Sequence, residues 1–192
     1  MKKIKMGFFG GSFNPPSNIH INLAKELVKN KILDIVIFVP VGNYYKKQNL
    51  VDAKHRVNML LEACKRYNYL KVEDIAAKSE KYLYAVDTFK MIKDKYNKEN
   101  VEIYMIMGSD NFKKMNSWKN YEEIVLNYNY IVIERPNYED QIKAKNVTYY
   151  ILNQKEDFSS TRIRHLLEKS ENVSNYLDEE VLKYINTNKL YS

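Results

Sequence analysis

Short apolar runs alternate along this chain with stretches of helical periodicity, and that alternation limits the fold more than any other feature. The runs are Ile4 to Phe9, Ile35 to Val39, Leu70 to Val72, Ile103 to Met107 and Tyr130 to Ile133. Between them, apolar residues recur at helical spacing near Ile21 to Lys29, Arg56 to Tyr67, Val86 to Tyr96 and Tyr121 to Leu126. Strands separated by helices pair in parallel, with the helices packed on the sheet. The pattern predicts an α/β chain: a Rossmann-like parallel sheet flanked by helices. A strand near Val147 to Leu152 and C-terminal helices near Thr161 to Lys169 and Asp178 to Thr187 complete it. A length of 192 residues without a Pro-, Gly- or Ser-rich linker reads as a single domain over 1–192.

Sheets of this type bind ligands beyond the carboxyl ends of their strands. Gly10-Gly11, Val41-Gly42 and Gly108 all follow strand-like runs, so they are expected along one edge. The first of these opens the richest segment, Gly10-Gly11-Ser12-Phe13-Asn14-Pro15-Pro16-Ser17, which leads into a helical pattern containing His20. Adjacent glycines let a ligand approach the backbone with no Cβ in the way, and the two prolines stiffen the path into the helix. The unpaired amides of a helix start, aligned with its dipole, favour an anion. The spacing is neither GxGxxG nor GxxxxGK[ST], so the dinucleotide fingerprint and the P-loop do not apply. Taken alone, the segment reads equally as a tight strand-to-helix connection with His20 on the surface.

A second element, Phe158-Ser159-Ser160-Thr161-Arg162-Ile163-Arg164, opens a C-terminal helical pattern. Its three hydroxyl residues either cap that helix or bind phosphate oxygens, and its two arginines offer planar donor forks suited to phosphate.

The two segments together resemble the adenylyltransferase branch of the nucleotidyltransferase superfamily, most closely bacterial nicotinate-nucleotide adenylyltransferase. That family pairs GGTFDPPHxGH with ISSTxIR; here the segments read GGSFNPPSNIH and FSSTRIR. Pro40 to Lys47 with His55 to Leu60 resembles its VPxxxPPHK and HRxxML stretches, and Tyr84 to Thr88 resembles SYTxDT. Met107 to Trp118 resembles IGADxxxxLxxW, and Tyr184 to Tyr191 matches the family's usual close.

The resemblance implies a reaction: AMP passes from ATP to nicotinate mononucleotide, giving deamido-NAD and pyrophosphate, with Mg²⁺ accompanying ATP. It implies catalytic roles for His20, Ser17, Lys47 and Arg164. ATP would be held by Gly10, Gly11, Ser12, Phe13, Ser160, Thr161, Ile163 and Arg164, and the acceptor by Ala85, Gly108, Asp110 and Trp118, with Trp118 facing the pyridine ring. No residue is assigned as a dedicated metal ligand. By residue type alone, Asp110 reads as a helix N-cap, Trp118 as packing, and Asp87 with Thr88 as a helix start.

This chain also departs from the family pattern. Ser17 stands where relatives carry His or Thr, Ile19 where they carry Gly, and Tyr44-Tyr45-Lys46 replaces Pro-Pro-His. Leu83 and Ala85 replace the Ser and Thr of SYT. Two alternatives therefore stay open. One is an adenylyl- or cytidylyltransferase for another phosphorylated acceptor, such as nicotinamide mononucleotide or phosphopantetheine, the latter opposed by Gly108, Asp110 and Trp118. The other is a nucleotide-binding protein that has lost catalysis.

The net charge of +7 is spread over 31 Lys and Arg mixed with 24 Asp and Glu, which suits a solvated surface around an anion-binding cleft rather than a nucleic-acid face. Cys64 is the only cysteine, so no internal disulfide forms, and it falls in a helical pattern with Val57, Leu60 and Leu61 as a core residue. The apolar run after Met1-Lys2-Lys3 is broken by Gly10, Gly11, Asn14 and the prolines, unlike a signal peptide, and no run is long enough to span a membrane. A cytoplasmic protein is expected, with ATP and a mononucleotide as partners, neither nucleic acid nor membrane, and self-association left open.

Overall fold

The computed structural model describes residues 3–134, 146–151 and 159–191. Six parallel strands form one sheet: β1 (Ile4–Gly11), β2 (Ile35–Pro40), β3 (Leu70–Val72), β4 (Val101–Gly108), β5 (Asn129–Glu134) and β6 (Val147–Ile151). Their order is β3-β2-β1-β4-β5-β6. The helices are α1 (Asn18–Lys29), α2 (Ala53–Cys64), α3 (Ala85–Tyr96), α4 (Ser109–Lys114), α5 (Tyr121–Asn127), α6 (Ser160–Glu168) and α7 (Glu179–Thr187). A 3-10 turn, Met115–Ser117, follows α4.

The strands are largely apolar because both faces of the sheet are covered, with the charged Lys5, Lys71 and Glu102 towards strand starts or on the short edge strand β3. Val36 and Phe38 of β2, with Ile131 and Ile133 of β5, pack with residues of α1, α2, α6 and α7. Ile37 and Val39, with Tyr130 and Val132, point the other way into a second core shared with Val86, Ile92, Phe112 and Ile124 of α3, α4 and α5. Period-two alternation thus sorts neighbouring residues of each strand into two separate cores. Cys64 is buried in the first core, as its helical position predicts, and burial pushes its thiol up to about 12.

Strand order reverses at β1, which has β2 on one side and β4 on the other. In open α/β sheets that reversal leaves a crevice beyond the strand ends, where ligands bind. β1 ends at Gly11 and β4 at Gly108, so the glycines singled out in the sequence lie on this edge.

Several boundaries differ from the sequence expectation. Gly10 and Gly11 are the last residues of β1, paired with Val39 and Pro40, rather than part of a turn. α2 starts at Ala53 rather than Arg56, because Asp52 caps it by accepting from the Lys54 amide at 2.8 Å. The short α4 and its 3-10 turn carry too few turns to show a period in the sequence. Asp110 is the second residue of α4, whose N-cap is Gly108, so it is not the cap. Leu152 and Phe158 lie outside the described residues.

Candidate active site

The two segments that the sequence pairs are in contact. Ser160 Oγ donates to the Pro15 carbonyl at 3.1 Å, and Arg164 Nη1 donates to the Asn14 carbonyl at 2.8 Å. Arg164 Nη2 also reaches Thr161 Oγ1 at 3.2 Å, which holds the guanidinium along the start of α6. Ser159 caps that helix by accepting from the Arg162 amide. Ile163 is fully buried in the first core and its amide donates to Ser159 O, so this residue seats the helix while Thr161 stays exposed.

The turn after β1 is held tightly. Phe13 is buried with φ of +45°, a region that costs a non-glycine residue roughly 1–3 kcal/mol and persists only when its surroundings enforce it. The enforcement is aromatic: the Phe13 ring meets Phe9, Phe38 and His20 at centroid distances of 5.7, 5.5 and 5.2 Å. Gly11 makes room for it, since a Cβ there would lie 2.9 Å from the Phe13 ring. A Cβ on Gly10 would meet nothing within 4 Å, so the protein's own packing does not require that glycine.

Asn14 is 1 % exposed and uses its whole side chain. Nδ2 donates to Asn49 O at 2.7 Å, and Oδ1 accepts from the Val51 amide at 3.2 Å and the Tyr191 hydroxyl at 2.8 Å. The segment from Asn49 to Val51 is thereby fastened to the first motif, and with it Lys47, whose Nζ donates to Ser12 Oγ at 3.1 Å. Partial burial, then the charges of Arg164 and Arg56, hold the Lys47 ammonium below its usual range. Ser12, Lys47, Arg56 and Arg164 thus form a cationic corner under the first motif. Sequence reasoning did not single out Asn14, Arg56 or Tyr191 for this corner.

His20 is the third residue of α1 and closes a capping box with Ser17. The Ser17 amide donates to its Nδ1 at 3.1 Å, and Ser17 Oγ lies 2.8 Å from the same nitrogen. Burial lowers the imidazole pKa from 6.5 to about 4, against the opposing pull of the Ser17 backbone. Ser17 itself is 2 % exposed, so it orients His20 from beneath. Ile19 packs against the first core.

A second group of residues gathers at the starts of α3 and α4. Ala85 is the first residue of α3, and Asp87 accepts from the Tyr84 amide at 2.9 Å, which confirms its place in the helix start. Leu83 and Thr88 line a small crevice with Val41, Gly42, Tyr45 and Lys81. Trp118 is half-buried against the second core, and the Nζ of its neighbour Lys119 stands 4.7 Å from the Tyr84 ring centroid, which joins the Trp118 segment to the start of α3. Tyr84 also meets Tyr82 edge-on, and Tyr82 stacks on Tyr45. Exposed Asp110 folds its carboxylate back over Gly108 at the start of α4, as the helix dipole favours.

Residues 8–166 match the cytidylyltransferase-like family. A "probable nicotinate-nucleotide adenylyltransferase" of Borrelia hermsii is 32% identical over 189 residues, covering 98% of both chains. Another of that description, from Clostridium novyi, is 32% identical over 199 residues, covering 97% of this chain and 98% of the relative. The structure of Plasmodium falciparum nicotinic acid mononucleotide adenylyltransferase complexed with NaAD superposes with a TM-score of 0.82 at 21% identity, covering 98% of this chain and 97% of that one; at that identity it bears on the fold.

Proposed function

The chain belongs to the cytidylyltransferase-like family, and within it to the nicotinate-nucleotide adenylyltransferases, and from that premise we propose how its residues carry the reaction. The enzyme transfers AMP from ATP to nicotinate mononucleotide, a step of NAD biosynthesis. The observation that carries this reading is the docking of Ser160 and Arg164 onto Pro15 and Asn14, which assembles one phosphate-handling corner from residues about 150 positions apart.

An oxygen of the acceptor's phosphate attacks the α-phosphorus of ATP. A new P–O–P bridge forms while the bond from Pα to the bridging oxygen of the β-phosphate breaks, and pyrophosphate leaves with that electron pair. Such a displacement needs positioning and charge stabilisation rather than a covalent nucleophile. Gly10, exposed and with open space over its α-carbon, leaves the β1 backbone accessible to the nucleotide. Lys47, Arg164, Ser160 and Thr161 face the triphosphate. His20, whose Nδ1 is engaged as an acceptor, holds its proton on Nε2 and donates from there to the phosphoryl group in transfer. Ala85, Gly108, Asp110 and Trp118 receive the acceptor, Trp118 offering an aromatic plane to the pyridine ring. Mg²⁺ would accompany ATP and would supply charge neutralisation on its phosphates, with no residue of this chain assigned as a dedicated ligand. A cytoplasmic setting belongs to the same reading, and the lone cysteine, Cys64, is buried as a free thiol, as a reducing compartment suits.

Pyrophosphate release from Mg-ATP, measured with nicotinate and nicotinamide mononucleotides side by side and with the dinucleotide identified by mass, tests the proposal. Preference for nicotinate is expected. Preference for nicotinamide would reassign the acceptor, and no turnover with either would overturn the reading.

A further inference from the structure

Arg56 sits in the first turn of α2 with its side chain wholly buried. Its Nε donates to Val51 O at 2.8 Å and its Nη1 to Ser12 O at 3.0 Å. Nη2 has no hydrogen-bond partner, and no carboxylate of the described residues pairs with the guanidinium. Burying a charge without a close counter-charge opposes folding; burial holds the Arg56 guanidinium below its usual range, Asp52 offsets part of that cost, and Lys47 repels it. A corner this positive in the free protein is relieved when an anion binds beside it, even one that does not touch the buried guanidinium.

The two carbonyls that Arg56 grips say where that anion belongs. Ser12 lies in the turn after β1, and Val51 closes the segment that carries Lys47. Ser12 also takes the Lys47 ammonium on its hydroxyl, so one residue is held by both cations, through its carbonyl and through its side chain. Asp52, the N-cap of α2, is the carboxylate whose charge reaches Arg56, and it makes no ion pair with the guanidinium among the described residues.

We propose that Arg56 is a positioning residue for the triphosphate of ATP: it locks the Ser12 turn and the Lys47 segment together, and its unpaired charge is answered when a polyphosphate binds. This rests on the adenylyltransferase reading. Arg56 acts through Ser12 and Lys47 rather than by touching the nucleotide, and the acceptor residues Ala85 and Trp118 stand on other elements, so its influence falls on ATP alone.

The test compares the full-length wild type with Arg56→Lys and Arg56→Met, measuring KM for ATP, KM for the acceptor, kcat, and the thermal midpoint with and without inorganic tripolyphosphate. Arg56→Lys keeps the charge but cannot grip both carbonyls. It should retain most of the midpoint rise given by tripolyphosphate while raising KM for ATP roughly 10-fold. Arg56→Met should lose the midpoint rise and raise KM for ATP at least as much, with KM for the acceptor within about twofold of wild type in each variant. A purely structural role would lower the midpoint yet leave the tripolyphosphate response and KM for ATP unchanged, and that result overturns the proposal. If Arg56→Met does not fold, an unchanged KM for ATP in Arg56→Lys overturns it alone. If the wild type turns over no acceptor, the adenylyltransferase reading fails separately. The tripolyphosphate arm then decides: equal responses in wild type and variants overturn the role of Arg56, and a response lost in Arg56→Met supports it.

Discussion

The backbone amide of Ser17 points its hydrogen at Nδ1 of His20 across 3.1 Å, which fixes both the tautomer and the tilt of the imidazole. With its pKa near 4, His20 is neutral through the physiological range, the state that its proposed role as a hydrogen-bond donor requires. Because the folded pKa lies below the ordinary 6.5, the unfolded chain takes the proton first. The stability that His20 contributes is therefore whole above about pH 6.5 and lost as pH falls toward 4. Thermal midpoints recorded from pH 7 downward should drop more steeply in the wild type than in His20→Gln.

Removing the donor itself should cost far more activity than stability. His20→Ala is expected to lower kcat on the order of 10²- to 10³-fold, the usual effect of deleting one preorganised donor. Near-wild-type kcat in a folded variant would remove His20 from the mechanism.

Ser17 differs from the family's histidine, yet restoring it should not help. The site is 2 % exposed, and Ser17 Oγ already lies against His20. Ser17→His should cost about 1–3 kcal/mol through overpacking and lower turnover. A gain in kcat would instead mark Ser17 as a decayed position.

The adjacent glycines are predicted to fail differently. Gly10→Ala meets no atom within 4 Å, so stability should stay within about 0.5 kcal/mol while KM for ATP rises. Gly11→Ala drives a methyl against the Phe13 ring and should lower stability by about 1–3 kcal/mol. Urea midpoints alongside ATP titrations separate the two.

Asn14→Asp brings the chain nearer the family segment but removes the Nδ2 donor to Asn49 O. A buried carbonyl left facing a carboxylate should cost about 1–3 kcal/mol and loosen the Lys47 segment. Calorimetry with a parallel KM for ATP would detect both, and an unchanged melting profile would count against the network drawn around Asn14.

What could be read in the sequence was whatever repeats locally. The strand Ile35 to Val39 and the helix around Leu23 and Leu27 announce themselves by period, and the pairing of Gly10-Gly11 with Ser160-Thr161 by motif. α4 is too short to announce itself. Asn14, Arg56 and Tyr191 carry no local signal either, because their meaning lies in contacts 35 to 177 residues away. Nothing in the string HRVNML says that its arginine is buried with no ion pair among the described residues, since that depends on which loops the sheet order brings over α2.

The hydrogen bond from Tyr191 to Asn14 has a consequence for how the protein is made. During translation, β1, β2 and β3 emerge early and have partners at once, but the floor beneath the first motif waits for a side chain 177 residues downstream. A nascent chain halted before Tyr191 would own its sheet and every helix from α1 to α7 while Asn14 still lacked that hydroxyl partner. The floor of the pocket is therefore completed by a residue that the ribosome delivers long after those assigned to the chemistry.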